Sequence, residues 1–470
     1  MPIDSESTKE FQKVHFIGIG GAGMSGIALV LHQRGYTVSG SDLKSSRYTR
    51  PLVRAGVRVT IGHDAATIDR VCPDVVVISS AIPESNPELV RARERGIEVW
   101  PRAKMLSYLS RGAITVAIAG THGKTTTSSL TATMLDRLGQ SPTFLIGGII
   151  DGYETNGHNG TGPYFVAEAD ESDGSFLYLD PNYVIVTNIE ADHLDHYGSL
   201  EKIEEAFCEL MRLTPEDTGT IVACGEDPHL PELARSTGRR VVSYGFGPEN
   251  DVVVATEPGG VNRFSVRLPD GTLVHAHLDH NPGRHNALNA AAVIALGQVL
   301  GFDPQECAQA VSSFVGVHRR FEKVGEVDGI TVIDDYGHHP TEIASTLAAA
   351  RGFGSAHVHV VFQPHRYSRT QALADKFGPA FADADSVTVM DVFSAGEVPI
   401  PGISGKTVAA SIERANPGKP VAYVPNRHEL VSHLLDVVKP GDMLITMGAG
   451  DVTMVGPSYL EALRARSANR

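Results

Sequence analysis

The run ITVAIAGTHGKTTTSSLTATMLDRLG, residues 114–139, constrains the fold more than any other stretch of the chain. ITVAIA reads as a buried strand, GTHGKTTT as a glycine-containing turn, and the remainder as a helix. A turn in that position aims successive backbone N–H groups and a helix N-terminus at one point, and Lys124 adds a full positive charge there. Its natural ligand is a phosphate. The turn departs from the usual G-x-x-x-x-G-K-[ST] pattern, because Ile118 stands where the first glycine would be. The working core survives: Gly123 allows close backbone approach, Lys124 reaches the outer phosphates, and the Thr125 hydroxyl suits a bound Mg²⁺. The loop from Gly120 through Thr121, His122 and Gly123 to Lys124, Thr125 and Thr126 is therefore expected to bind ATP or GTP.

A second glycine turn, GIGGAG, lies about a hundred residues earlier. Gly18, Gly20 and Gly23 form a G-x-G-x-x-G directly after the strand-like KVHFIGI, and Asp42 closes the next strand. Three readings fit these residues: a dinucleotide with Asp42 on a ribose hydroxyl, another diphosphate lying close to Gly21 and Ala22, or tight strand–helix packing alone.

At 470 residues the chain is about three times a domain of roughly 150. Apolar strands alternate with helical stretches and the alternation restarts twice. This predicts an α/β protein of three domains, over residues 1–110, 111–317 and 318–470. The first and third read as Rossmann-like. The central one reads as a P-loop ATPase-type parallel sheet with a small antiparallel sheet, whose hairpin turns at Asp270-Gly271. A formal charge of -15 argues against general nucleic-acid binding, so an anionic ligand must meet local positive groups. Four widely spaced cysteines and the lack of a long apolar run predict a cytoplasmic protein without membrane insertion.

Mg²⁺ prefers oxygen ligands, which makes the acids after later strands candidates: Glu168, Asp170, Glu171 and Asp173 in EADESD. A solvated acidic loop is the alternative, weakest for Glu168 at the strand end. NIEADHLDHY likewise puts Asn188, Asp192, His193 and His196 at a strand's carboxyl edge.

The blocks GIGGAGMSGIA, GTHGKTTT, EADESD, NIEADHLDHY, HNALNA, HRRFE, DDYGHHPTEI, QPHRYSRT, DVFSAGE and MGAGDV, in this order, resemble the Mur ligases over essentially the whole chain, and among them the branch that adds L-alanine. The family's short phosphate loop also lacks the leading glycine. The resemblance implies ATP as cosubstrate, Mg²⁺ (or Mn²⁺) as cofactor, and UDP-N-acetylmuramate and L-alanine as substrates. It implies that Gly18, Gly20, Gly21, Ala22, Gly23, Asp42, Ser79 and Ser80 face the UDP-sugar, and that Lys124 binds phosphate. Thr125, Glu168 and His193 would hold the metal. Asn286 and Asn289 would touch adenine, although the residues alone would read as helix capping or surface. Arg320 and Asp335 would reach ATP from the third domain, and Tyr336, His338, Arg366 and Arg369 would form the L-alanine pocket, two arginines gripping its carboxylate. The implied chemistry phosphorylates the sugar's carboxylate, and the alanine amine then attacks the acyl phosphate. Lys124, His193 and His338 are the expected catalytic residues, with His338 either the base or only an orienting group. A monomer or weak homodimer is expected. A peptide-recycling ligase of the same family and a nucleotide-binding regulator are the rival readings.

Overall fold

The computed structural model describes residues 11–468 apart from 173, 193 and 258–261. The protein is a three-domain α/β chain whose described residues form three sheets. The first sheet contains β1 (Lys13–Ile17), β2 (Thr37–Asp42), β3 (Arg58–Ile61), β4 (Val75–Ile78) and β5 (Glu98–Pro101), all parallel, in the order β3-β2-β1-β4-β5. Its central strand reads VHFI, continuously buried, as a parallel strand covered on both faces should be.

The second sheet is built from β6 (Ile114–Ala119), β7 (Thr143–Ile150), β8 (Thr155–His158), β9 (Tyr164–Glu168), β10 (Tyr183–Val186), β11 (Thr220–Cys224), β12 (Arg240–Gly245), β13 (Val252–Thr256), β14 (Arg263–Arg267) and β15 (Leu273–His277). Its order is β15-β14-β13-β12-β11-β10-β6-β9-β7-β8. Strands β7, β9, β6, β10, β11, β12 and β13 run parallel, while β8 returns antiparallel to β7. The turn at Asp270-Gly271 joins β14 to β15, which extend the main sheet at its edge.

The third sheet holds β16 (Glu322–Val327), β17 (Ile330–Asp335), β18 (Val358–Phe362), β19 (Ser386–Val389), β20 (Val421–Tyr423) and β21 (Met443–Met447), ordered β16-β17-β21-β18-β19-β20. Only β16 is antiparallel to its neighbour. Two apolar clusters cover its faces, one around Phe362, Phe377 and Phe381, the other around Tyr459 and Leu430.

The chain divides into two compact units. One contains the residues up to Ala255 with Ser265–Ala276 and Leu288–Phe314, and the other contains Thr256–Phe264, His277–Ala287 and Val315–Arg470. The first two sheets share a unit because the helix Ala22–Gln33 packs against β7 and β8 as well as its own sheet. Gly26 and Gly157 make that approach possible: a Cβ on Gly157 would sit 2.6 Å from Gly26 Cα. Polar contacts lie beside the crossing, with Asn156 Nδ2 donating to the Ala22 carbonyl and Arg34 Nε to Asn159 Oδ1 (2.7 Å). Gly157→Ala is backbone-compatible yet must push helix and strand apart, so it should cost about 1–3 kcal/mol. A thermal melt should show an earlier transition. An unchanged midpoint would contradict this account of the contact.

Candidate active site

In each sheet the glycine-rich or polar turns follow the carboxyl ends of adjacent parallel strands, the place where open α/β sheets bind ligands. In the first sheet the turn after β1 starts with Gly18 at φ +79°, a left-handed conformation that glycine adopts without steric cost. The N–H groups of Gly18 and Ile19 both donate to the Ser41 carbonyl (2.8 and 3.0 Å), and Gly20 N–H donates to Asp42 Oδ2 (2.8 Å). Asp42 thus spends one carboxylate oxygen on shaping the turn. The helix Ala22–Gln33 begins directly after it, and Gly21, Ala22 and Gly23 share the lining of a cavity of about 290 Å³ with Ser79 and Ser80, which follow β4.

In the second sheet β6 lies between β10 and β9, so the loops after these three strands meet. The turn after β6 bends through Gly120 (φ +137°) and Gly123 (φ +83°), and the helix Lys124–Arg137 starts at the lysine. Asn188, after β10, grips the turn by accepting from His122 N–H (2.8 Å) and donating to the His122 carbonyl (3.1 Å). A Cβ on Gly123 would sit 2.9 Å from Asn289 Oδ1, which puts that amide beside the loop. Thr126 is buried in the helix's first turn.

Lys124 Nζ donates to Glu171 Oε1 (2.8 Å) and to the carbonyls of Gly120 and Thr121. Burial alone would lower the lysine pKa, but Glu171, Asp170 and Glu168 together raise it, so the side chain is an ammonium. Burial pushes Glu171 the other way, up to about 7, against the pull of Lys124. Thr125 Oγ1 donates to Glu168 Oε1 (3.1 Å), whose other oxygen accepts from Gly147 N–H (2.8 Å). The result is an immobilised cation next to a hydroxyl–carboxylate pair, the donor set of a nucleotide–metal site.

In the third sheet β17, β21 and β18 are neighbours whose last residues align, Asp335 with Met447 and Phe362 with Met447. The segments after them, DYGHHP, GAGD and QPHRYSRT, therefore converge. Asp335 is buried and accepts from Phe321 N–H and Gly337 N–H (both 2.8 Å); burial raises its pKa, with Arg320 pulling it down. Arg319 and Arg320 lie over the Tyr336 ring, 5.1 and 5.2 Å from its centre. His338 meets Tyr336 edge-on at 5.4 Å and His365 at 5.6 Å, and Arg369 Nη1 is 3.5 Å from His365 Nδ1. Arg366, at φ +67°, opens the short helix Tyr367–Ala372. Burial, then the charges of His338, Arg369 and Arg366, hold His365 at about 3. Burial and Arg320 hold His285 at about 4.

Of the residues expected from the sequence, Lys124, Thr125 and Glu168 lie together, as do Gly18, Gly20, Asp42, Ser79 and Ser80 around the first turn, and Tyr336, His338 and Arg369 at the third sheet. Asn286 and Asn289 are both buried on the helix Arg284–Val299, Asn286 Nδ2 donating to the Pro282 carbonyl (3.1 Å). His193 and Asp173 lie outside the described residues. Sequence reasoning missed His365, although it sits inside the quoted block QPHRYSRT, and Arg319, whose Nε donates to the buried Asp334 (2.9 Å).

Three family descriptions match the chain in order: "Mur ligase family, catalytic domain" over residues 13–113, "Mur ligase middle domain" over 118–297, and "Mur ligase, glutamate ligase domain" over 319–450. The chain belongs to the Mur ligase family. Among the curated Mur ligases it is similar to the UDP-N-acetylmuramate–L-alanine ligase of Nitratidesulfovibrio vulgaris, 46% identical over 95% of this chain and 98% of that protein. The Pelotomaculum thermopropionicum protein of the same name is 47% identical over 96% and 97%. Among solved structures, the UDP-N-acetylmuramate–alanine ligase of Thermotoga maritima superposes with a TM-score of 0.82 at 33% identity, covering 97% of this chain and 99% of that one. A murein peptide ligase from Psychrobacter arcticus reaches 0.72 at 25%, covering 96% and 98%. Among the described residues no helix is long and apolar enough to cross a membrane.

The two suppressed histidines give this Mur ligase a defined acid response. The folded chain refuses a proton on His285 and His365 that the unfolded chain accepts near pH 6.5. The stability they contribute is complete above that pH and is lost as pH falls toward their folded values, about 2 kcal/mol each by pH 5. His285→Gln should flatten the fall in denaturation midpoint between pH 7 and 5. An unaltered slope would contradict the buried neutral ring.

Proposed function

We propose that the protein is an ATP-dependent ligase that joins L-alanine to the lactyl carboxylate of UDP-N-acetylmuramate, a step of peptidoglycan precursor synthesis. The observation that carries this reading is the Lys124 site, an ammonium held beside a hydroxyl–carboxylate pair, in a chain that aligns almost end to end with proteins of that named activity. In the proposed division of labour, residues 1–110 hold the sugar nucleotide, 111–317 hold ATP and 318–470 hold the amino acid.

A carboxylate resists attack because its charge repels a nucleophile and oxide is a hopeless leaving group. The lactyl carboxylate oxygen attacks the γ-phosphorus, the bond to the ADP oxygen breaks, and an acyl phosphate forms. Lys124 and the N–H groups of the Gly120–Thr126 turn take up the negative charge on the phosphoryl oxygens, most of what a protein can offer this step. Thr125 Oγ1 and Glu168 Oε1 are adjacent hard oxygen donors and suit Mg²⁺, with Mn²⁺ as a substitute; His193 is assigned beside them from the resemblance. When bound, the ion neutralises phosphoryl charge as the bond to ADP breaks. Asn286 and Asn289 are assigned to adenine, and Arg320 and Asp335 to the nucleotide.

Alanine enters as an ammonium carboxylate. Arg366 and Arg369 take its carboxylate, Tyr336 shapes the pocket, and His338 removes the proton that must leave before the amine attacks the acyl carbon and phosphate departs. His338 Nδ1 lies 3.1 Å from the Tyr336 carbonyl, an acceptor that keeps the ring proton on Nδ1 and the basic lone pair on Nε2.

The test is phosphate release from ATP and Mg²⁺ with UDP-N-acetylmuramate and a choice of acceptor. Release should require L-alanine and fall by about a hundredfold or more in Lys124→Ala. Release only with an L-alanine-headed tripeptide would move the protein to the peptide-recycling branch, and release indifferent to any acceptor would contradict ligase function.

A further inference from the structure

The short helix Tyr367–Ala372 lacks a cap of its own. Its first N–H groups have no partner within the helix, and Arg366, which opens it, has no side-chain acceptor to offer them. Six residues are also too few for a helix to hold its shape without outside contacts. Yet Arg366 and Arg369 stand on this segment, three positions apart and close to one helical turn. Like charges at that spacing repel, so their separation needs a fixed backbone and a nearby anion.

Both come from a different loop. The segment between β19 and the helix Gly405–Ala415 brings Glu397 against the start of the short helix. Glu397 Oε2 accepts from Ser368 N–H (3.1 Å) and Oε1 accepts from Ser368 Oγ (2.6 Å), with the Tyr367 N–H as a further donor. Burial would raise the Glu397 pKa, but these donors and the charge of Arg366 together hold it below the ordinary carboxylate range. The same loop grips the other side of Arg366. Arg366 N–H donates to the Phe393 carbonyl (2.8 Å), Phe393 N–H donates to the Pro364 carbonyl (2.8 Å), and the His365 and Phe393 rings stack with centres 5.8 Å apart. Arg366 keeps φ +67° under these contacts, a positive value that a residue with a Cβ retains only where its surroundings impose it.

We propose that Glu397 is a positioning residue for the amino-acid site: it caps the helix Tyr367–Ala372 from a separate loop and so fixes Arg366 and Arg369 at the spacing that one substrate carboxylate spans. This rests on the assignment of those two arginines to L-alanine and adds to it a residue that acts through them. A charged cap serves better than a neutral one, because the arginines repel each other until the substrate carboxylate arrives. The chain turns outward directly afterwards, where Val398 is 83% exposed, so Glu397 is the point at which this stretch of loop reaches the helix.

Steady-state kinetics with each substrate varied in turn, on wild type, Glu397→Ala and Glu397→Gln, test the assignment. In Glu397→Ala the KM for L-alanine should rise about tenfold or more, with kcat much less affected and the KM values for ATP and UDP-N-acetylmuramate unchanged. Glu397→Gln should fall between Glu397→Ala and wild type, because its amide keeps an acceptor and loses the charge. Val398→Ser, at the neighbouring exposed position, should behave as wild type. If Glu397→Ala does not fold, Ser368→Ala, which removes the 2.6 Å donor alone, should raise the same KM with the same selectivity. An L-alanine KM unchanged in the folded variant would overturn the proposal, and so would an equal rise in Val398→Ser. A rise in all three KM values together would also overturn it, by making Glu397 a general support of the third domain. Wild-type turnover indifferent to L-alanine would instead overturn the assignment of the amino-acid site on which the proposal rests.

Discussion

The central sheet is organised around one buried ammonium. Lys124 Nζ is taken out of water by the turn that carries it, and an isolated charge there would be too costly to keep. Glu171, Asp170 and Glu168 offset that cost, all from the segment that ends β9, and the carbonyls of Gly120 and Thr121 complete the shell. The arrangement fixes the lysine before any nucleotide arrives, so little reorganisation is left for the reaction. Burial simultaneously brings Glu171 to about 7, which leaves its charge sensitive to what approaches the lysine.

The same geometric solution recurs in all three sheets. A central parallel strand ends in a turn, and the strands on either side supply the polar groups that hold or complement it. In the first sheet β2 contributes Ser41 and Asp42 and β4 leads into Ser79 and Ser80. In the second, β9 contributes Glu168 and β10 leads into Asn188. In the third, β17 ends in Asp335 beside the loop after β21 and the histidine-bearing loop after β18. Parallel pairing makes this unavoidable, because carboxyl ends of neighbouring strands can only emerge on the same edge. The proposed function uses two of these turns for phosphates and the arginine–histidine cluster of the third sheet for an amino acid.

Much of this was legible in the sequence because it is local. The two glycine turns, their flanking strands and helices, and the order of the loop blocks are all readable from spacing and composition. What escaped was contact at long range in the chain. Glu171 stands 47 residues from Lys124 and is one of several acids in EADESD, so nothing in the sequence singles it out as the ion-pair partner. Arg102 Nη2 donates to Ser175 Oγ 73 residues away, and no sequence pattern ties the two together. No sequence pattern singles out Gly157, which is where a strand of the second sheet meets a helix of the first. Asp42 reads as a ribose contact, and part of its capacity is in fact committed to Gly20.

The claim on which the account depends is that the phosphate site and the amino-acid site serve one acyl phosphate. The most direct measurement supplies UDP-N-acetylmuramate with ¹⁸O in its lactyl carboxylate and follows the label through a complete turnover with ATP and L-alanine. The account predicts one labelled oxygen in the inorganic phosphate for each amide formed, because the carboxylate oxygen that attacks phosphorus leaves with it. Unlabelled phosphate would contradict it.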